Sequence, residues 1–223
     1  MTALLVTPPG KGPFAGILFL QASVEDARYA FLDEANRLAK MGVVSLLFDN
    51  PFQPTGQAAD RDQIIQIVVN LRRGIDLLTA RADVDPHRIG FVGDIDGAEM
   101  GAVLAGVDKR IADYVFISGT GQPSTHLKDF ILLASDKMAR YVGSMAQLDS
   151  DHFISHAAPA TLLFQNGNYD RIHSKQELID FQQAASDPKV VKWYDAGFGL
   201  NPEADRDRLD WLQKQLSLKP PVQ

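Results

Sequence analysis

Five residues in the middle of the chain, Gly93-Asp94-Ile95-Asp96-Gly97, have the spacing of a reaction site and lack its reagent. They follow the apolar run Ile89-Gly90-Phe91-Val92 and lead into Ala98, so the segment reads as a buried strand, a sharp turn and a helix start. In the G-x-S-x-G pattern the two glycines permit a turn so tight that the central side chain stands exposed at the end of a sheet, where a serine hydroxyl can attack an acyl carbon. The centre here is Ile95, and a hydrocarbon side chain has no lone pair to offer.

The two carboxylates beside it open a different chemistry. Asp94 and Asp96 are spaced so that one could attack an electrophile while the other moves a proton, and both could hold a hard cation such as Mg²⁺. The stretch Phe91 to Gly97, with Phe116-Ile117-Ser118 further on, resembles the first two motifs of haloacid-dehalogenase-type phosphatases. That pattern continues with threonine where this chain has Ala98, and its later acidic pair has no counterpart downstream. Both aspartates also suit a helix start, where the macrodipole and unpaired N–H groups stabilise carboxylates.

Any of the five histidines could supply a base. His173 lies shortly after Asp170, and an exposed turn or helix-start position is its plainer expectation. His152 and His156 have the spacing that presents two imidazoles to one metal on a helix, but no third ligand and no glutamate base accompanies them. No metal or other cofactor is implied. His87 and His126 fall in expected turns.

The elements that must position these groups are set by an ordinary composition. A chain of 223 residues with 45% hydrophobic content can bury one sizeable core, and residues 1–223 are expected to form a single α/β domain. The net charge of -6 is spread over interspersed acids and bases, so no basic stripe offers itself to nucleic acid. The absence of cysteine excludes disulfides, thiolate nucleophiles and Cys-ligated zinc, and fits a reducing compartment. Met1-Thr2-Ala3-Leu4-Leu5-Val6 lacks the features of a secretory signal, and no apolar run reaches the roughly 18 residues of a membrane span. A cytoplasmic protein with no membrane partner is the expectation, and a homodimer rests only on two-fold pairs being the commonest soluble assembly.

Apolar runs of strand length alternate with helical periods, the order of βα units around a mostly parallel sheet. Gly16 to Leu20, Val43 to Phe48, Ile89 to Val92, Tyr114 to Ile117, Thr161 to Phe164 and Val190 to Tyr194 are the expected strands. Helices are expected over Ala27 to Lys40 with Phe31, Ala35 and Leu38 inward, and over Asp60 to Arg81 with Ile64, Val68, Leu71, Ile75 and Leu78 on one stripe. Gln176 to Ala185 and Glu203 to Leu216 complete the set. Residues 119–158 read as about forty residues of helical insertion, a small lid or an extended crossover, anchored by Phe130, Leu133 and Met138.

Taken together these residues resemble the α/β-hydrolase superfamily, in particular its small dienelactone-hydrolase-like and esterase-like members. The resemblance covers nearly the whole chain. It is carried by Gly16 to Ala22 for the oxyanion strand and turn, Asp85 to Gly93 leading into the elbow, Leu163 to Asp170 for the acid turn, and Tyr194 to Asn201 for the base loop. Carried over by position, the resemblance implies Ile95 for the nucleophile, Asp170 for the acid and Phe198 for the base. Phenyl cannot move a proton, so two of the three positions cannot perform acyl transfer. Loss of such a triad costs about 10⁶ in rate and leaves roughly 10³ to 10⁴ over water. The His-Gly usual at the oxyanion strand is replaced by Gln21-Ala22, although main-chain donors survive such a change. The expected pocket beyond the strand ends is apolar, with Gln21, Ser23, Asp96 and Asp170 as its polar groups. The implied protein is noncatalytic, binding a small molecule or acting as a scaffold. The enzyme alternative is a carboxyl-ester or lactone hydrolase using Asp96, since aspartate is the nucleophile in the dehalogenase and epoxide-hydrolase branches. A turn centred on Asp96 would, however, place the side chain of Asp94 where glycine is wanted.

Overall fold

Strands that read as continuous apolar runs rather than alternating ones need cover on both faces, and this chain supplies it with helices. The computed structural model describes residues 1–22 and 26–220. Its strands are β1 (Ala3–Val6), β2 (Phe14–Leu20), β3 (Val43–Phe48), β4 (Val84–Asp94), β5 (Asp113–Ile117), β6 (Thr161–Gly167) and β7 (Lys189–Tyr194). They form one sheet in the order β1-β3-β2-β4-β5-β6-β7, with β1 antiparallel to β3 and every other pairing parallel. Every residue of β3 and β5 is buried.

The helices are α1 (Leu32–Ala39), α2 (Ala59–Thr79), α3 (Asp96–Val107), α4 (Pro123–His126), α5 (Ser135–Met145), α6 (Ser150–Ile154), α7 (Lys175–Ala184) and α8 (Pro202–Gln215). Two apolar cores result. One holds Leu18, Phe91, Tyr114 and Leu162, side by side in the sheet, under α2 and α3. The other holds Ile17, Phe19, Val92 and Val115 with Phe31, Ala35 and Leu38 of the α1 side and Leu212 of α8. The predicted stripe of α2 from Ile64 to Leu78 is buried throughout.

Three local departures from the sequence expectation have physical causes. The helix expected from Ala27 begins at Leu32, after a separate 3₁₀ turn over Ala27–Tyr29. Phe31 leaves helical geometry (φ -98°, ψ 11°), and its ring packs 5.1 Å from that of Phe19. β4 begins at Val84, before Pro86, because Val84 pairs with Phe14 and the ladder then slips before Gly16 meets Ile89. Proline is tolerated at such an irregularity, where its missing N–H leaves no bond unmade. β1 escapes the sequence reading altogether, being four residues of alternating burial on the sheet edge.

Within residues 119–158, Phe130 is 65% exposed and is no anchor. Leu133 and Met138 do pack on the core, but Tyr141, Met145 and Ile154 are the large hydrophobic side chains buried there. Tyr141 Oη donates to Asp60 at 2.8 Å, and α6 packs against α3 and α7. Among the described residues no helix is long and apolar enough to cross a membrane.

Candidate functional site

The elbow is built as its glycines require. β4 ends at Asp94, Ile95 turns the chain at φ 53° and ψ -115°, and α3 starts at Asp96. A Cβ on Gly97 would lie 1.9 Å from the Leu20 carbonyl oxygen, and one on Gly93 would lie 2.4 Å from the Gly97 carbonyl oxygen. The helix start therefore rests directly on the end of β2. The Ile95 N–H donates to the Ile117 carbonyl at 3.0 Å, and the Ile95 carbonyl accepts from Ala98 and Glu99 at 2.9 and 3.1 Å. A β-branched residue with positive φ is strained, typically by about 1–3 kcal/mol, and persists only where such surroundings over-determine it. Ile95 thus occupies the apex of a tight strand-to-helix turn.

Asp170 follows β6 and is fully engaged. Its Oδ2 accepts the Ser118 hydroxyl at 2.5 Å, and its Oδ1 accepts the N–H groups of Ile172 and His173 at 2.7 and 3.0 Å. Ser118, at φ 58° just beyond β5, is buried. Since its hydroxyl proton points to Asp170, Ser118 Oγ accepts from His173 Nδ1 at 2.9 Å. The exposed position expected for His173 is wrong: it is 2% exposed, its ring stacks on His126 at 4.6 Å, and its Nε2 lies 3.6 Å from Glu99 Oε1. Burial pushes the Glu99 carboxyl up to about 7. The same burial opposes charge on His173, but the neighbouring Glu99 and Asp170 carboxylates outweigh it and raise the imidazole. Ser118, His173 and Asp170 form one hydrogen-bonded cluster, while His173 Nε2, facing Glu99, has no hydrogen-bond partner among the described residues. Sequence reasoning missed Ser118 and the neighbouring Glu99, because only the sheet register brings them together.

A cleft of about 370 Å³ opens at the carboxyl ends of the strands. Gln21, Asp94 and Ile117 line it from the strand ends, Glu34 and Arg208 from α1 and α8, and Phe198 from the loop after β7. It unites three predicted positions, Gln21, Asp94 and Phe198, whereas Ile95, Ala22, Asp96 and Asp170 are not among its walls. Ser23 lies outside the described residues. Contrary to the apolar expectation, the walls are dominated by polar and charged groups, because α1 and α8 present acids and arginines here. Arg208 is buried and donates to Glu34 at 2.6 to 3.1 Å, to Gln165 Oε1 at 2.8 Å and to Asp205 at 2.8 Å.

Asp94 is not a helix-start residue, since it pairs with Ile117 as the last residue of β4. The ladder puts its side chain 7% exposed on the cleft wall. Gln21 Nε2 donates to Oδ2 at 2.7 Å, with Gln21 itself held by Asn50 Nδ2 on its carbonyl at 3.0 Å. Oδ1 has no partner among the described residues. Burial pushes the Asp94 carboxyl up to about 7, against the lowering effects of the Gln21 bond and the Arg208 charge.

Raised carboxyl pKa values make the folded state bind more protons than the unfolded chain, so stability falls as pH rises through the folded value. Burial raises both Asp94 and Glu99 to about 7 when folded, and the loss should fall between about pH 4 and pH 7. Urea denaturation is expected to find the protein on the order of 2 kcal/mol more stable at pH 5.5 than at pH 8, with Asp94→Asn removing part of that difference. A flat profile over this range would contradict the assignment.

Asp94 and Asp96 do not gather a third ligand: among the described residues no group of three or more His, Cys, Asp or Glu could hold a metal ion. His152 lies in the five-residue α6 and His156 beyond its end, so no helix face presents the two imidazoles together.

No family model matches the chain. No curated protein matches it either. Solved structures do. A 2,6-dihydroxy-pseudo-oxynicotine hydrolase superposes with a TM-score of 0.75 at 17% identity over 99% of this chain, which spans 66% of that protein's length. An acetyl xylan esterase from Paenibacillus sp. R4 gives 0.76 at 16% identity, covering 96% of this chain and 79% of the other. An α/β hydrolase from Penicillium sp. sh18 gives 0.68 at 14% identity, covering 97% and 99%. The chain has the α/β-hydrolase fold.

Proposed function

We propose that this chain is a noncatalytic α/β-hydrolase-fold protein that binds a small molecule in the cleft beyond its strand ends. The observation that carries the reading is Ile95 at the apex of a fully formed elbow, where acyl transfer needs a lone pair. Phe198 at the implied base position supports it, because phenyl can neither accept nor return a proton. Asp170, the implied acid, has both oxygens committed to Ser118 and main-chain N–H groups, and the imidazole beside it, His173, is buried and does not line the cleft. Folds of this kind place ligands at the carboxyl ends of the strands, where the cleft combines charged side chains with the Phe198 ring.

The test compares the parent protein with Ile95→Ser, by fluorophosphonate labelling and by turnover of p-nitrophenyl acetate. The parent should show neither labelling nor turnover above buffer. Ile95→Ser should take the label, since the elbow already holds the required turn. Turnover by the parent would overturn the noncatalytic reading, and its loss in Asp96→Asn would assign the reaction to a carboxylate nucleophile at that position.

A further inference from the structure

The end of the sheet opposite that cleft carries the reverse charge. A second cleft, of about 220 Å³, opens where β2 and β3 begin, between the loop from β1 to β2, the end of α1 and the residues that follow α8. Lys11, Lys40, Arg88 and Lys219 line it, and no aspartate or glutamate does. In a chain with 22 basic and 28 acidic residues, four cations around one space without an acid concentrate positive potential against the overall sign. Asp83, whose carbonyl accepts the Phe14 N–H at 2.8 Å beside this cleft, does not neutralise it, since Arg81 takes both of its carboxylate oxygens at 2.8 and 2.9 Å.

Helix ends account for the placement of two of these cations. Lys40 directly follows α1, and Arg88 Nε donates to the Leu216 carbonyl at 2.9 Å just past α8, where a cation offsets the helix dipole. That bond anchors the Arg88 guanidinium without using it up, because Nη1 and Nη2 have no partner among the described residues. Lys11 ends no helix. It stands between Gly10 and Gly12, both at positive φ (106° and 70°), on the loop from β1 to β2. The exposed ammonium groups of Lys11, Lys40 and Lys219 have no partner among the described residues, and neither have the N–H groups of Gly10, Lys11 and Gly12. Like charges around one small space repel one another, and a multivalent anion is the ligand that relieves all of them together. Pro13, Phe14 and Met41 add an apolar wall beside these donors.

We infer that this cleft is a second ligand site, one that takes a small organic diphosphate whose phosphoryl oxygens accept from Lys11, Lys40, Arg88 and Lys219 and whose organic part lies on Pro13, Phe14 and Met41. Two joined phosphoryl groups present more charge and more acceptor oxygens than one, which suits four separate donors. At about 220 Å³ the cleft is smaller than the roughly 300 Å³ at which drug-sized ligands become enclosed, so it holds the diphosphate and leaves the far end of the ligand at its rim. It shares no wall residue with the cleft at the carboxyl ends of the strands, and its test does not depend on the noncatalytic reading.

The experiment is calorimetric titration of the full chain at low ionic strength with inorganic pyrophosphate, sulfate, ADP and dimethylallyl diphosphate, repeated with Lys11→Gln, Arg88→Gln and, as a control on α5, Lys137→Gln. Pyrophosphate should bind at least about tenfold more tightly than sulfate. Arg88→Gln should lose about tenfold and Lys11→Gln about threefold, the smaller effect reflecting a more exposed charge, while Lys137→Gln should lose nothing. At least one of the two esters should match or exceed pyrophosphate, and the one that does identifies the organic part as a flat base or an alkyl chain. Sulfate binding as tightly as pyrophosphate, or an equal loss in Lys137→Gln, would assign the binding to overall charge and overturn the inference. Undiminished binding in Lys11→Gln would also overturn it, and this exposed loop variant keeps the test decisive if Arg88→Gln fails to fold. Weaker binding of both esters than of pyrophosphate would overturn the organic diphosphate, and no binding of any diphosphate would overturn the site.

Discussion

Arg208→Met is expected to destabilise the protein by about 3–5 kcal/mol, the range for removing one partner of a buried ion pair. Glu34 is 4% exposed, and its carboxylate takes three hydrogen bonds of 2.6 to 3.1 Å from the Arg208 guanidinium. Methionine fills a similar volume but leaves that carboxylate buried and unpaired. Burial opposes charge on Arg208 itself, but Glu34 and Asp205 more than compensate and raise its pKa. Asp205 is 43% exposed in its side chain and can turn to water when the arginine is gone, so Glu34 bears most of the loss. The double variant Arg208→Met, Glu34→Leu should recover most of the stability, because an apolar pair of similar size avoids both desolvation terms. Urea denaturation of the parent, the single variant and the double variant measures this cycle. A single-variant cost below about 1 kcal/mol would show that the network does not hold α8 to α1.

Gly97→Ala should cost about 3 kcal/mol or more, lowering the thermal midpoint by about 10 °C. The added methyl would sit 1.9 Å from the Leu20 carbonyl oxygen and 2.7 Å from its carbon, and both are backbone atoms that cannot rotate away. Relief requires α3 to lift from β2, which opens the junction between the elbow and the Gln21 turn. Gly143 is the internal control, because a Cβ there would meet nothing within 4 Å, and Gly143→Ala inside α5 should be neutral or slightly stabilising. Scanning calorimetry of the two variants separates a steric requirement at Gly97 from a general intolerance of alanine. Equal midpoints would place the elbow glycines outside the packing argument.

Much of this architecture is legible in the chain. The strand order of apolar runs, the α2 stripe from Ile64 to Leu78 and the inward face of Phe31, Ala35 and Leu38 all follow from periodicity, which is a local property. The elbow is equally legible, since two glycines flanking a tight turn after an apolar strand leave few other conformations. β1 is not, because four alternating residues on an edge carry too little pattern. Phe130 fails as an anchor for a related reason: hydrophobicity alone does not say which face of a short helical stretch meets the core.

What the sequence by itself determined is the chemistry of two side chains: no arrangement of neighbours gives Ile95 a lone pair or Phe198 a transferable proton. What only the tertiary structure decided is which polar groups meet. Glu34 and Arg208 are 174 residues apart, and Ser118 and His173 are 55 apart, yet each pair is in direct contact. The role of Asp94 turned on the pairing of β4 with β5, which makes it the end of a strand rather than the start of a helix and sets its carboxylate in the cleft wall. Register across a sheet and the docking of helices on its two faces are long-range properties with no sequence period of their own. They made the expected apolar pocket a charged one.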